Sequence, residues 1–202
     1  YGEWGAEWWK WAVALDADEN HPLIADGKVD CSLGQDPEGD VWILGGIYGV
    51  VPSSEDPTVI RGKAHRQCEV PAGKALFFPV VNIVCSPFTG DGSTEEELLG
   101  CANFVIDEFV FPKKAQIDRY KVKPLEDYRT VSELFTLNDF GDPNILGVEP
   151  GSEGPAVTSG YYVLVPPLSE GKHKIKFKAK IEVEGYYLFT LDIYYKLNVV
   201  DD

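Results

Sequence analysis

The last stretch of the chain constrains the fold most. HKIKFKAKIEVEGYYLFTLDIYYKLNVV alternates apolar and polar residues along two arms that turn near Gly185, a period of two that suits a β-strand with one dry and one wet face. Ile175, Phe177, Ala179, Ile181 and Val183 face the core from the first arm, and Phe189, Leu191, Ile193, Tyr195, Leu197 and Val199 from the second. A hairpin of this length needs a second apolar layer against it.

Other segments supply that layer. GYYVLVPPL reads as a strand, and so does VWILGGIYGV, broken or bulged at Gly45-Gly46 and followed by a loop at PSSEDP. The continuous apolar run from Ala75 to Val84 predicts a strand buried on both faces, with Pro79 marking a bulge or an edge segment. LDADENHPLIADGKVDCSLGQDPEGD reads as a long loop anchored by Cys31. Between Phe111 and Ser159 the pattern is weaker: a short strand around Ala115 to Val122, a short helix around Val131 to Phe135, then the loop NDFGDPNILGVEPGSEGP. With 20 Gly and 14 Pro punctuating short strands, the chain reads as mainly β, an antiparallel β-sandwich of jelly-roll kind, in one domain over residues 1–202.

Two helices complete it. Thr94 or Ser93 caps a helix near 94–109, where Glu95, Glu96 and Glu97 suit the positive end of the dipole. At the start, YGEWGAEWWKWAVAL places Trp4, Trp8, Trp11 and Leu15 on one stripe, with Trp9 and Val13 beside it and Glu3, Glu7, Lys10 and Ala14 opposite. An aromatic stripe of this kind predicts a lid, residues 1–15, docked across one sheet. Trp4 and Trp9, at its margins, are the candidate ligand-binding rings, since indole faces stack on sugars.

The net charge of -15 repels phosphate backbones and anionic headgroups, so nucleic acid is a poor partner, and no apolar run is long enough for membrane insertion. The absence of Met reads as processing, with a secretory signal removed. Cys31, Cys68, Cys85 and Cys101 are even in number and form no CxxC pair. Pairing in sequence order is favoured over structural zinc, because each bridge closes a moderate loop flanked by turn residues and zinc sites use close ligand pairs. Disulfides place the protein outside the cell.

Acidic side chains alternate in the loops. Asp16 and Asp18, Asp36 and Asp40, and Asp91 before the glutamates offer oxygens of the kind calcium takes, although none completes an EF-hand pattern. A solvated loop is the plainer reading. Lys174, Lys176, Lys178 and Lys180 all point to one face of one strand. Lysines protect an outward edge from aggregation, and the same line suits assembly with an acidic patch on another copy, or contact with an anionic polysaccharide. His21, His65 and His173 lie scattered in turn-like surroundings without metal-ligand spacing, and no nucleophile elbow, zinc motif or phosphate loop appears. No catalytic residue is assigned.

The blocks YGEWGAEWWKWA, NHPL, DCSLGQ, VWILGG, CEVPAGKALFFPVVN and PLSEGKHKIKF resemble those of a group of uncharacterised, apparently secreted proteins of bacteria and archaea, over most of the chain. The resemblance implies secretion and disulfides and assigns no chemistry. The expectation is a secreted, disulfide-stabilised, non-catalytic β-sandwich that binds at the cell exterior, with glycans as ligand. Two alternatives stand beside it: a self-assembling surface or filament subunit, and a glycoside hydrolase or lyase whose carboxylate pair lies about 5–10 Å apart with one pKa raised.

Overall fold

A computed structural model describes residues 1–48, 59–184 and 187–201. Among these residues eleven strands run in chain order: β1 (Gly27–Lys28), β2 (Val41–Ile43), β3 (Val59–Pro71), β4 (Ala75–Cys85), β5 (Val110–Ile117), β6 (Tyr120–Lys121), β7 (Arg129–Val131), β8 (Phe135–Leu137), β9 (Gly154–Val165), β10 (Gly171–Val183) and β11 (Tyr187–Val200). Helix α1 spans Gly2–Ala14 and α2 spans Glu95–Phe109. The strands form a six-stranded sheet, β1-β3-β11-β10-β5-β6, and a five-stranded sheet, β2-β4-β9-β7 with β8 on β9. The expected loop at PSSEDP and the turn at Gly185 lie outside the described residues.

The two sheets face each other across the main core. Phe78 and Val80 of β4 meet Ile175, Phe177, Ile193 and Tyr195 of β10 and β11 there, and the Phe78 and Phe177 rings stack with centroids 4.9 Å apart. A second apolar layer lies on the other face of the five-stranded sheet, where Phe77, Val84 and Tyr162 pack against Trp8, Trp9 and Trp11 of α1. Strand β4 is thus buried on both faces, which explains its unbroken hydrophobicity. Its register against β9 slips between Pro79 and Val81, as expected of a residue with no N–H to give the ladder.

Among the described residues, three pairings are parallel: β1 with β3, β2 with β4, and β3 with β11 over its whole length. The rest are antiparallel, including the β10–β11 hairpin. Strand β3 was not expected. Its outward residues Arg61, Lys63, His65, Gln67 and Glu69 alternate with buried Gly62, Ala64, Arg66, Cys68 and Val70, so His65 lies on a strand rather than in a turn.

Two details of the middle segment also change. Val131 to Phe135 is not a helix; β7 and β8 occupy its ends because both pair with β9. The strand expected from Ala115 begins earlier, at Val110, and turns at Asp118, whose backbone φ is 50°. Helix α2 starts where read, with the Thr94 hydroxyl accepting from the Glu97 N–H and the Glu97 side chain returning to the Thr94 N–H, a reciprocal cap.

Cys31 pairs with Cys68, joining the loop after β1 to β3, and Cys85 pairs with Cys101, joining the end of β4 to α2. Both are the pairings in sequence order.

Candidate functional site

The tryptophan helix closes the five-stranded sheet. Gly5 permits the approach, because a Cβ there would sit 2.9 Å from the Tyr162 ring. The Trp8 and Trp11 indole N–H groups donate to the Leu44 and Leu33 carbonyls, each at 3.0 Å, so the lid also clamps the long loop that precedes β2 and the residue that follows that strand. At the far end, His21 and the Gly141 N–H take the Ala12 and Val13 carbonyls that an ending helix leaves free. The expectation that Trp9 offers a stacking face is corrected: only 5% of it is exposed, because α1 sits deep enough to bury both sides of its aromatic stripe. Trp4 is half-buried and tilted against Phe77. A row of open tryptophan faces for neutral sugars is therefore not what α1 presents.

Three of the five candidate calcium ligands accept backbone N–H groups, Asp18 and Asp36 within their own loops and Asp16 from a loop elsewhere in the chain. Asp16 accepts the Asp142 N–H, Asp18 the Asn20 N–H and Asp36 the Glu38 N–H, and Asp40 is exposed. Among the described residues, Asp91 is the one of the five that joins a close group of three residues of metal-ligating type, with Cys85 and Cys101. Those two sulfurs are bonded to each other and offer no thiolate. Among the described residues, the three carboxylates held away from their ordinary pKa all shift downward: Asp30 by the Ser32 hydroxyl and N–H, Glu97 by the Ser93 and Thr94 N–H groups, and Asp118, against its burial, by hydrogen bonds from His173 and Lys174. A glycosidase acid needs a shift in the other direction.

The lysine stripe lies elsewhere than expected. Strand β10 is not an edge; it runs between β11 and β5, so its lysines occupy the middle of a broad face. The register shows how the face is built. Lys174 pairs with Lys196 of β11, which pairs with Gln67 of β3, which pairs with Lys28 of β1. The next outward row runs Lys176, Tyr194, His65, and the next Lys178, Asp192, Lys63, with Lys114 of β5 on the flank. Paired residues share a face, so the register across five strands places all these groups on the same outer surface.

The segregation is strong. Lys28 of β1, Arg61, Lys63 and Arg66 of β3, Lys113 and Lys114 of β5, Lys121 of β6, five lysines of β10 and Lys196 of β11 put thirteen of the eighteen Lys and Arg on this sheet. The strands of the other sheet carry Arg129 alone. Some of the face is neutralised internally: Lys178 pairs with Asp192, Lys180 with Glu182, and the Lys176 ammonium sits 4.8 Å from the Tyr194 ring centre. At the end of the face nearest the Cys31–Cys68 bridge, a groove of about 1000 Å³ is bordered by Lys28, Lys172, Lys174, Lys196, Asp30 and Glu69. His173 closes one side. Burial opposes its charged form, but the Asp118 carboxylate and the Ser169 carbonyl outweigh that and raise its pKa.

The sequence identified the four β10 lysines but not their partners across the sheet. The signal for Arg61, Lys63, His65 and Gln67 was present in the alternation of RGKAHRQCEV; it is faint because Gly62, Ala64 and Arg66 fill the inward positions. Lys28 and Lys196 carry no local signal, since only the register makes them neighbours of Lys174.

Comparison with protein-family models, with curated proteins and with solved structures found no match to this chain.

Proposed function

We propose that this protein is an extracellular, non-catalytic binding module whose ligand surface is the cationic outer face of the six-stranded sheet, and that its ligand is an acidic glycan. The observation that carries the reading is the cross-strand row Lys174, Lys196, Gln67 and Lys28, a line of cations on a chain of net charge -15. Two disulfides suit an oxidising exterior, and no described helix is long and apolar enough to cross a membrane. Burial of Trp9 moves the glycan reading from stacking on neutral sugars to charge recognition. Tyr194 and Phe111 keep aromatic surface among the lysines.

Titration calorimetry with polygalacturonate and with dextran tests this. Polygalacturonate binds, and its affinity falls about tenfold or more when salt rises from about 50 to about 300 mM, as screening requires. Dextran binding of equal strength, or no binding of the acidic polymer, overturns the reading.

A second reading, head-to-tail assembly, is favoured by the opposite side of the molecule. Helix α1 carries Glu3 and Glu7, and the loops packed beside it carry Asp16, Asp142 and their acidic neighbours. That surface lies across both sheets from the lysines, so one copy's acidic side suits the next copy's cationic face without closing a ring. Light scattering that rises with concentration and collapses in high salt supports assembly. A monomer at every concentration rejects it.

A further inference from the structure

Resting on the glycan reading above, we infer that the acidic chain is gripped at one end of the cationic face, in the groove beside the Cys31–Cys68 bridge, and lies across the strands rather than along β10. The lysines of β10 look equivalent in sequence but are not so in structure. Lys178 and Lys180 already hold Asp192 and Glu182, and Lys176 covers Tyr194. A ligand running along β10 would meet, from Lys176 to Lys180, one cation engaged with a ring and two already paired with carboxylates.

Across the strands the situation reverses. Among the described residues, the ammonium groups of Lys174, Lys196 and Lys28 have no carboxylate within 4.0 Å and donate to no protein oxygen, and the Asp118 carboxylate that feels the Lys174 charge is held by the Lys174 backbone N–H and by His173. Their row spans four strands, and at about 4.8 Å between neighbouring strands it is about 14 Å long. Gln67 sits between Lys196 and Lys28 in register, an amide suited to a sugar hydroxyl between charged groups.

The acids of the groove narrow the path further. Glu69 lies in the adjacent row, where it accepts from Asn198, and Asp30 accepts from Ser32. Neither neutralises a lysine, and both repel an anion that strays from the Lys174–Lys28 row. A linear glycan bearing a charge on successive sugars, laid along that row, meets cations and an amide without meeting either acid. Cys31 follows β1 closely and is bonded to Cys68 of β3, which fixes Lys28 as the end of the row.

The test compares two variants with the parent for binding a polygalacturonate oligosaccharide, with melting temperatures confirming that all three are folded. The triple variant K28A/K174A/K196A loses about tenfold or more in affinity, whereas K178A/K180A stays within about twofold of the parent, because paired surface lysines contribute little. Equal losses in both variants overturn the crosswise placement while leaving the glycan reading intact. A parent that binds no polygalacturonate overturns the glycan reading itself, and the placement with it. A single-stranded DNA oligomer that binds more tightly than the glycan, with the same variant pattern, overturns the ligand class.

Discussion

His173 and Asp118 meet between the start of β10 and the turn after β5, with the imidazole Nδ1 2.8 Å from the carboxylate Oδ2. The other ring nitrogen lies 2.8 Å from the Ser169 carbonyl oxygen. A carbonyl and an ionised carboxylate only accept, so both nitrogens donate when the ring is doubly protonated. The second carboxylate oxygen accepts the Lys174 N–H, which fixes the strand that begins the lysine row.

The first prediction concerns this clasp. His173 has its pKa raised above 6.5 in the fold, so its contribution to stability is complete below pH 6.5 and is lost as pH rises through the folded value. Asp118 is lowered below 3.8, so its contribution is present above pH 3.8 and is lost as pH falls through its folded value. The clasp is therefore strongest between those two limits. Urea midpoints measured from pH 5 to pH 9 should show a loss on the alkaline side that H173Q lacks; identical curves would refute the assignment.

His21 behaves in the opposite way. Its Nδ1 accepts the Leu23 N–H and its Nε2 faces the Ala12 carbonyl, which requires a neutral ring protonated on Nε2. Burial lowers its pKa, the nearby Arg66 charge acts in the same direction, and the Ala12 carbonyl and Asp18 oppose it less. Stability from a neutral histidine is full above pH 6.5 and declines as pH falls towards the folded value. Acidification from about pH 7 to about pH 5 should destabilise the parent more than H21Q. Nitrogen chemical shifts of the ring should report the Nε2-protonated tautomer at neutral pH, and a charged ring there would sink the account.

The lid predicts a third outcome. Trp8 is 3% exposed, touches Trp9 edge-on and donates to Leu44. Trp8→Ala should cost about 3–5 kcal/mol, and Trp4→Ala less, since Trp4 is only half-buried. Deleting residues 1–15 should lower the melting temperature more than either, because it opens the outer face of β4 and β9 to water. A truncated chain that melts with the parent would show that α1 is not a structural layer.

How much of this was legible follows from where the information sits. The β10–β11 hairpin, the Pro79 bulge and the Thr94 cap are local: alternation, a missing N–H and a hydroxyl three residues before a glutamate each act within a few residues. Strand β3 is not, because Arg66 takes an inward position that an apolar side chain would have marked, and its parallel partner β11 lies at the other end of the chain. The same limit applies to the site. The stripe of β10 was readable from one strand, but whether it forms an edge, which lysines are paired, and which row crosses to Lys28 depend on neighbours that only the folded sheet supplies.

Arg66 gives the last prediction, and it rests on the feature that hid β3. Its guanidinium is 1% exposed and has no carboxylate partner among the described residues; it donates to the Ala25, Gly45 and Gly46 carbonyls and to the Tyr195 hydroxyl. Tyr195 in turn donates to Gly45 and lies beneath the guanidinium. A guanidinium buried on neutral oxygens alone, three carbonyls and a hydroxyl, satisfies loop carbonyls that burial otherwise makes costly. Arg66→Met keeps much of the volume and removes the charge, so it separates the two effects. If the carbonyls matter more, the variant loses about 3 kcal/mol, the cost of leaving about two acceptors unsatisfied. If desolvating the charge matters more, the variant matches or exceeds the parent, as apolar replacements of buried charges often do. Among the described residues, the Ala25 and Gly46 carbonyls would have no other donor, whereas Gly45 keeps the tyrosine. We therefore expect the loss, and a urea midpoint at or above that of the parent would reject the role of Arg66 as the donor that holds this loop to β3.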